Sequence, residues 1–363
     1  MAEDKIVKAR QLTRLQRIGV ASLFVVGAMV IGGVVFVLSG IYNIGASREH
    51  WSITNFVITI LRDRSVSVAA SGIEAPELDD ADLYALGQEH FLGACTSCHG
   101  IPGEPLNPLY ANMLPQPPDL SAAFDDYGAR EVFWIVDHGL KYTGMPAWPG
   151  DNRPDEVWSV VAYLKHLNTA GPSDADAFAD AAEAARTLDT CARCHGDATT
   201  EPVSTLVPRL EGLPRAYLAR ALEEYRDDLR ASGFMAPIAH GMSDNEIADI
   251  AAHYADLPAR DSDEQVGPAL VARGREIAEA GLSGQDIPAC TSCHNGSDPH
   301  VPPLAGQSAR YMETQLKVWR NSDYRRSSDQ GRLMAFIAQR LSPQSAEAVS
   351  AYYESLSPAG NAR

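Results

Sequence analysis

All six cysteines of this 363-residue chain fall in three copies of one pentapeptide, CTSCH at 95–99, CARCH at 191–195 and CTSCH at 290–294. C-x-x-C-H is the attachment signature of a c-type haem: two thiols become thioethers to the porphyrin vinyl groups, and the adjacent imidazole turns onto the iron. A lone C-x-x-C is also compatible with a zinc half-site or a redox dithiol. Zinc, however, needs cysteine pairs combined in fours or with paired histidines, whereas these motifs lie about a hundred residues apart and each ends in its own histidine. The sequence therefore predicts three covalently bound haem c groups, attached through Cys95 and Cys98, Cys191 and Cys194, and Cys290 and Cys293, with His99, His195 and His294 on the irons. No cysteine is left over for a structural disulfide.

A chain of this length suits two or three compact units, and the motif count selects three. Composition shifts mark the joints: 71–80 is small and acidic, 169–180 is rich in Ala, Asp, Gly and Pro, and 258–265 is polar and charged. Strand-like alternation is missing, and helical periodicity flanks every motif. The expected fold is all-α, one N-terminal transmembrane helix followed by three small haem domains. The boundaries are 1–17 for a cytoplasmic N-terminus, 18–42 for the anchor and 43–79 for an interfacial helix and linker. The haem domains follow at 80–168, 182–258 and 266–358, joined by linkers at 169–181 and 259–265.

The anchor rests on an uncharged run from Ile18 to Ser47, apolar enough over 18–42 to cross a bilayer. A cleavable signal peptide is the rival, but its apolar region runs only about 7 to 15 residues. Lys5, Lys8, Arg10, Arg14 and Arg17 precede the span, which holds the N-terminus inside and sends the haem motifs across, into a bacterial periplasm. Past the span, Trp51, Ile53, Phe56, Val57, Ile60 and Leu61 share one helical face, suited to the membrane surface or to packing on the chain's own domains. The first 64 residues hold eight Lys/Arg and four Asp/Glu; the other 299 hold 22 and 43, a net −21. So acidic an exported part excludes nucleic acid as a partner and favours solubility, with steering of a basic partner as a second consequence.

The last two units are copies. Cys191, His195, Met235, Ser243, Tyr254 and Leu257 recur 99 residues later as Cys290, His294, Met334, Ser342, Tyr353 and Leu356. Between them the offset drops to 94, where Val207-Pro208, Leu210, Gly212, Tyr217 and Arg226 correspond to Val301-Pro302, Leu304, Gly306, Tyr311 and Arg320. Compensating gaps with ligands and helices restored to register are the mark of one fold used twice. Ser243 with Glu246 forms a capping box for the last helix of the first copy, and Ser342 followed by Pro343 caps the second.

The residue opposite each histidine decides between electron transfer and small-molecule binding, and methionine raises the potential and closes the site. Met334 aligns with Met235, whereas Met312 aligns with Leu218 and Met242 with Leu341. In the first unit Met145, in Gly144-Met145-Pro146-Ala147-Trp148, lies 46 residues past His99 and Met113 only 14. The expected iron ligands are thus Met145, Met235 and Met334. His138, His166, His240, His253 and His300 are alternatives whose positions do not repeat. Pro208 and Pro302, each in V-P-x-L-x-G, are placed to offer a carbonyl to the ligating imidazole or simply to bend a loop. Arg226 and Arg320 are candidates to neutralise haem propionates.

These motifs resemble class I c-type cytochromes. The second and third units are similar to the dihaem cytochrome c4 and c553-like group, through C-x-x-C-H, V-P-x-L-x-G, the MAPIA and MAFIA strings and the capped final helix. The first resembles the monohaem domains of cbb3-type oxidase subunits, through T-G-M-P-A-W and the following helix with Trp158 and Tyr163. The resemblance implies an electron-transfer protein that is not itself an enzyme. Its donor would be a quinol-oxidising complex or a soluble cytochrome, and its acceptor a terminal oxidase. The competing roles are the electron-accepting subunit of a periplasmic dehydrogenase, and a haem peroxidase or gas sensor, which would need an open iron.

Overall fold

A computed structural model of the chain describes residues 14–170, 188–262, 264, 266–321 and 329–358. Most of the 1–17 segment and of the 169–181 joint, and the start of the 182–258 unit, lie outside these residues. Among the described residues every regular element is helical, apart from one isolated bridge between Leu282 and Ile287.

Helix α1 (Arg14–Ser39) buries none of its residues. It is the one helix among those described that is long and apolar enough to span a membrane. Phe36, Tyr42 and Trp51 cluster at its end, with ring centroids 5.1–6.1 Å apart. Helix α2 (Ser52–Ala69) leaves the predicted apolar face in the open, since Trp51, Ile53, Phe56, Val57, Ile60 and Leu61 are all exposed. Only its last turns dock on the rest of the chain, through buried Val66 and the Tyr127 hydroxyl, which donates to Asp63 at 2.7 Å.

The remaining helices gather around three separate apolar cores, one per C-x-x-C-H motif. In the first core α3 (Ala81–His90) and α4 (Ala129–His138) pack on α5 (Pro154–Ala170), whose Val157, Val160, Val161 and Leu164 form the inward stripe. Around the second, α6 (Leu188–His195) carries the motif, and α7 (Arg215–Arg226) lies on α8 (Asp244–Asp256). The third repeats that pair as α10 (Ala309–Asn321) on α12 (Pro343–Glu354), with α11 (Asp329–Arg340) against α10 and α9 (Pro268–Ala280) across α12.

The predicted caps form. Glu246 N–H donates to the Ser243 hydroxyl at 3.3 Å while Ser243 N–H donates to the Glu246 carboxylate at 2.7 Å, satisfying two otherwise orphaned amides. Ser342 accepts from Ser345 N–H at 3.1 Å. The copies also match bond for bond: Gly212 N–H donates to Tyr254 O at 3.0 Å, and Gly306 N–H to Tyr353 O at 2.9 Å.

A polar clamp joins all three cores. Arg310, from the third, pairs with Asp80 and Asp82 of the first, and Asp82 also accepts from the amide and hydroxyl of Thr205 in the second, at 2.8 and 2.6 Å. Bonding to Arg310 lowers the Asp80 carboxyl despite some burial. Burial pushes Asp82 up, but Thr205 and Arg310 together hold it below its ordinary value. Carboxyls whose folded values are depressed stabilise fully above the ordinary aspartate value of 3.8 and lose that contribution as pH falls through the lower, folded values. The radius of gyration of the full chain should therefore grow below about pH 4, and Arg310→Ala should remove most of that acid response. An unchanged scattering profile in acid would mean that the clamp does not hold the cores together.

Candidate haem centres

Each motif lies on or beside a short helical turn, which brings to one side residues three and four apart, as the two cysteines are and as the histidine is from the first cysteine. Cys191, Cys194 and His195 occupy the last two turns of α6. Around Cys95 the chain makes one wide π turn over Phe91–Cys95 and then an α turn over Thr96–His99; such bulges recur at functional sites. Cys290–Ser292 forms a tight 3₁₀ turn.

All three motif histidines are tied in the same way. Nδ1 of His99 lies 2.9 Å from Pro118 O, that of His195 3.0 Å from Pro208 O and that of His294 2.8 Å from Pro302 O. A carbonyl only accepts, so Nδ1 carries the proton and Nε2 presents its lone pair. Burial lowers the pKa of all three imidazoles, against the opposing pull of the carbonyls, and so favours the neutral form that ligates metal. The carbonyl role foreseen for Pro208 and Pro302 is thus present. Pro118 was not foreseen, although Pro118-Asp119-Leu120 shares the P-x-L spacing of Pro208 and Pro302.

The cysteines are all unpaired, five half-buried and Cys293 exposed. Burial pushes the Cys95 and Cys194 thiols up to about 12. A redox dithiol needs the opposite shift, toward thiolate. Among the described residues no three His, Cys, Asp or Glu side chains converge as a zinc site requires.

One cavity, which runs between the three cores, carries the whole predicted set of the second site on its wall. About 1220 Å³ in volume, it is lined by Cys191, Cys194, His195 and Met235, with apolar walls that include Leu213 and Leu218. A large planar macrocycle attached through both sulfurs fits this combination of thiols, a free imidazole nitrogen, a thioether and apolar walls. Met235 opens the short helix Met235–Ala239, and its N–H donates to Ser232 Oγ at 2.9 Å.

The other two methionines sit on comparable supports. Met334 is half-buried on α11, while its rival Met312 is 7 % exposed inside the third core. Met145 is half-buried on the loop after α4, where its N–H donates to Thr143 Oγ1 at 3.1 Å. Met113 lies against that same loop, its methyl 2.4 Å from where a Cβ on Gly144 would stand. Met242, the rival in the second copy, lies in the turn just before the α8 cap. Arg226 donates to Met242 O and pairs with Asp244, and Arg320 donates to Ala338 O and Leu341 O. Both candidate propionate partners thus bond backbone at equivalent places in the two copies.

Residues 82–164 match the family described as cytochrome C oxidase, cbb3-type, subunit III. The thiosulfate dehydrogenase electron acceptor of Stutzerimonas stutzeri (strain A1501) is 35% identical over 169 residues, 45% of this chain and 77% of that protein. Cytochrome c4 of Pseudomonas aeruginosa is 32% identical over 204 residues, 54% of this chain and 98% of that protein. A solved cytochrome c4 of Acidithiobacillus ferrooxidans is 28% identical, with a TM-score of 0.43, and is covered in full by 47% of this chain.

Proposed function

This chain belongs to the cytochrome c4 family of c-type cytochromes, and from that premise we propose that it is a membrane-anchored carrier of single electrons with three haem c groups. Haem c iron supplies reversible one-electron chemistry. The polypeptide supplies everything around it. Cys95 and Cys98, Cys191 and Cys194, and Cys290 and Cys293 bind through their sulfurs; His99, His195 and His294 offer Nε2 while Pro118, Pro208 and Pro302 fix their rings. Met145, Met235 and Met334 would hold the irons through their thioethers, which would raise the potentials and exclude exchangeable small ligands. Trp148 and Phe234, three residues and one residue from two of those methionines, lie 5.6 Å apart with His90 between them at 4.8 and 4.4 Å, so the two ligand loops are in contact.

In this reading α1 crosses the cytoplasmic membrane with Arg14 and Arg17 inside, the exposed apolar face of α2 lies in the outer surface of the bilayer, and the three cores stand in the periplasm. The physiological direction is from a quinol-oxidising complex or soluble cytochrome toward a terminal oxidase. The match of 82–164 to an oxidase subunit family carries this choice. A second reading, the electron-accepting partner of a periplasmic dehydrogenase, draws support from the relative named as the acceptor of thiosulfate dehydrogenase.

The two are separated by reducing the full chain in membranes. Quinol with a quinol-oxidising complex should reduce all haem absorbance, and oxidase should reoxidise it in an inhibitor-sensitive way. Failure of that cycle, with rapid reduction by thiosulfate and its dehydrogenase instead, would replace the first reading with the second.

A further inference from the structure

Met235 is held by a residue of another core. Glu156, in the first turn of α5, is 3 % exposed and points away from its own core into the turn before Met235. Its Oε1 accepts from the Ser232 hydroxyl at 2.6 Å and pairs with Arg153 at 2.7 Å; its Oε2 accepts from Gly233 N–H at 2.6 Å and from the Trp148 indole at 3.2 Å. Arg153, 6 % exposed, also donates to Ala231 O at 2.9 Å. Ser232 Oγ in turn accepts the N–H of Phe234 at 3.2 Å as well as that of Met235. Carboxylate, hydroxyl and ligand-bearing amide thus form one buried chain, and Gly233 leaves no space in it, since a Cβ there would stand 2.2 Å from the Trp148 ring.

The duplication gives an independent sign that this contact is specific. Ser232-Gly233-Phe234-Met235 corresponds to Gly331-Arg332-Leu333-Met334, so the third unit keeps the methionine and lacks the hydroxyl and the glycine that receive Glu156. The copies diverge at the turn where the second meets Glu156.

We propose that Glu156, braced by Arg153, is the positioning residue for Met235, so that the first core sets the iron–sulfur geometry of the second haem. This rests on Met235 being that haem's ligand. A buried carboxylate bonded to charged and neutral donors is among the stronger fixed contacts a fold offers, and truncating it leaves several buried donors unpaired.

The test uses the full chain with its haems, oxidised, and reads two signals: the near-infrared sulfur-to-ferric band and the binding of added imidazole. Met235→Leu should remove about a third of the band, the share of one haem in three. Glu156→Ala should lower the same third and raise imidazole affinity at one haem roughly tenfold, the equivalent of one to two lost hydrogen bonds. In the Met235→Leu background it should remove nothing further. Glu156→Gln, which keeps one acceptor oxygen, should fall between. A general loss of folding would instead weaken the band of every haem.

If Glu156→Ala does not accumulate, Ser232→Ala takes its place with the same roughly tenfold expectation. Unchanged band and imidazole affinity in the Glu156 or Ser232 variant, with a third of the band lost in Met235→Leu, would overturn the positioning role and leave the ligand in place. A full band in Met235→Leu would overturn both.

Discussion

Replacing Cys191 and Cys194 together with alanine should yield protein with two covalent haems in place of three and a second core that no longer resists protease. The expectation follows from how little else holds that core. Among the described residues its buried apolar cluster is Leu213, Tyr217, Leu218, Ala251 and Tyr254, five side chains against thirteen in the first core and ten in the third. Beside them runs the cavity of about 1220 Å³. That space is open and shared with the first and third cores, so without its occupant the apolar wall of the second core, Leu213 and Leu218 included, stands against water. The walls must then collapse or take in water, and α7 and α8 lose the surface they pack on. The first core should survive as a fragment, because its buried apolar side chains, Phe91, Val157, Val161 and Leu164 among them, all come from residues 78–167. Pyridine haemochrome absorbance against protein mass counts the haems, and limited proteolysis follows the core. Three haems in the double variant, or an unaltered digestion pattern, would refute the assignment of this cavity.

What the sequence disclosed and what it concealed divide along a physical line. Local chemistry was legible: the capping box of Ser243 and Glu246 needs only two residues three apart, and the structure forms it. Repetition was legible too, since the offset of 94 pairs Gly212 with Gly306 and Pro208 with Pro302, the offset of 99 pairs Tyr254 with Tyr353, and the paired residues make equivalent bonds. Pro118 escaped because it lies 19 residues past its histidine, against 13 and 8 in the copies, and lacks the flanking Val and Gly that marked the others. Arg226 and Arg320 were candidates for propionate partners because a cation on a helix looks free in sequence. In the fold the C-terminal end of α7 meets the turn before α8, and that of α10 the end of α11 just before α12, where helix-end carbonyls take the guanidinium. Glu156 was invisible for the opposite reason. An acidic residue in a helix's first turn is explained by the helix dipole, and nothing local says that its partners lie 76 and 77 residues away.

Gly274→Ala should destabilise the third core, although helix propensity alone predicts the reverse. Alanine in place of a mid-helix glycine ordinarily stabilises by roughly 0.5–1 kcal/mol. Here α9 crosses α12 so closely that a Cβ on Gly274 would stand 1.8 Å from Ala348 O and 2.8 Å from the Tyr352 Cβ. The first core repeats the crossing at Gly87, where a Cβ would meet Ser159 O at 2.0 Å and the Tyr163 Cβ at 3.0 Å, again a carbonyl and a tyrosine four residues on. Backbone cannot retract as a flexible side chain can, so the helices must part, and the Ile277, Val349 and Tyr352 packing parts with them. Overpacking of this kind costs about 1–3 kcal/mol, enough to override propensity, and a domain of this size loses several degrees of melting temperature for each kcal/mol. Gly274→Val should cost more still, because a branched side chain adds bulk at the same point. Calorimetry of the full chain should show the third-core transition falling by about 10 °C for alanine and further for valine. A rise on Gly274→Ala would mean that propensity wins and that the two helices do not meet at their backbones. The two crossings would then lose the feature that makes the first and third cores look like the same cage built from different sequences.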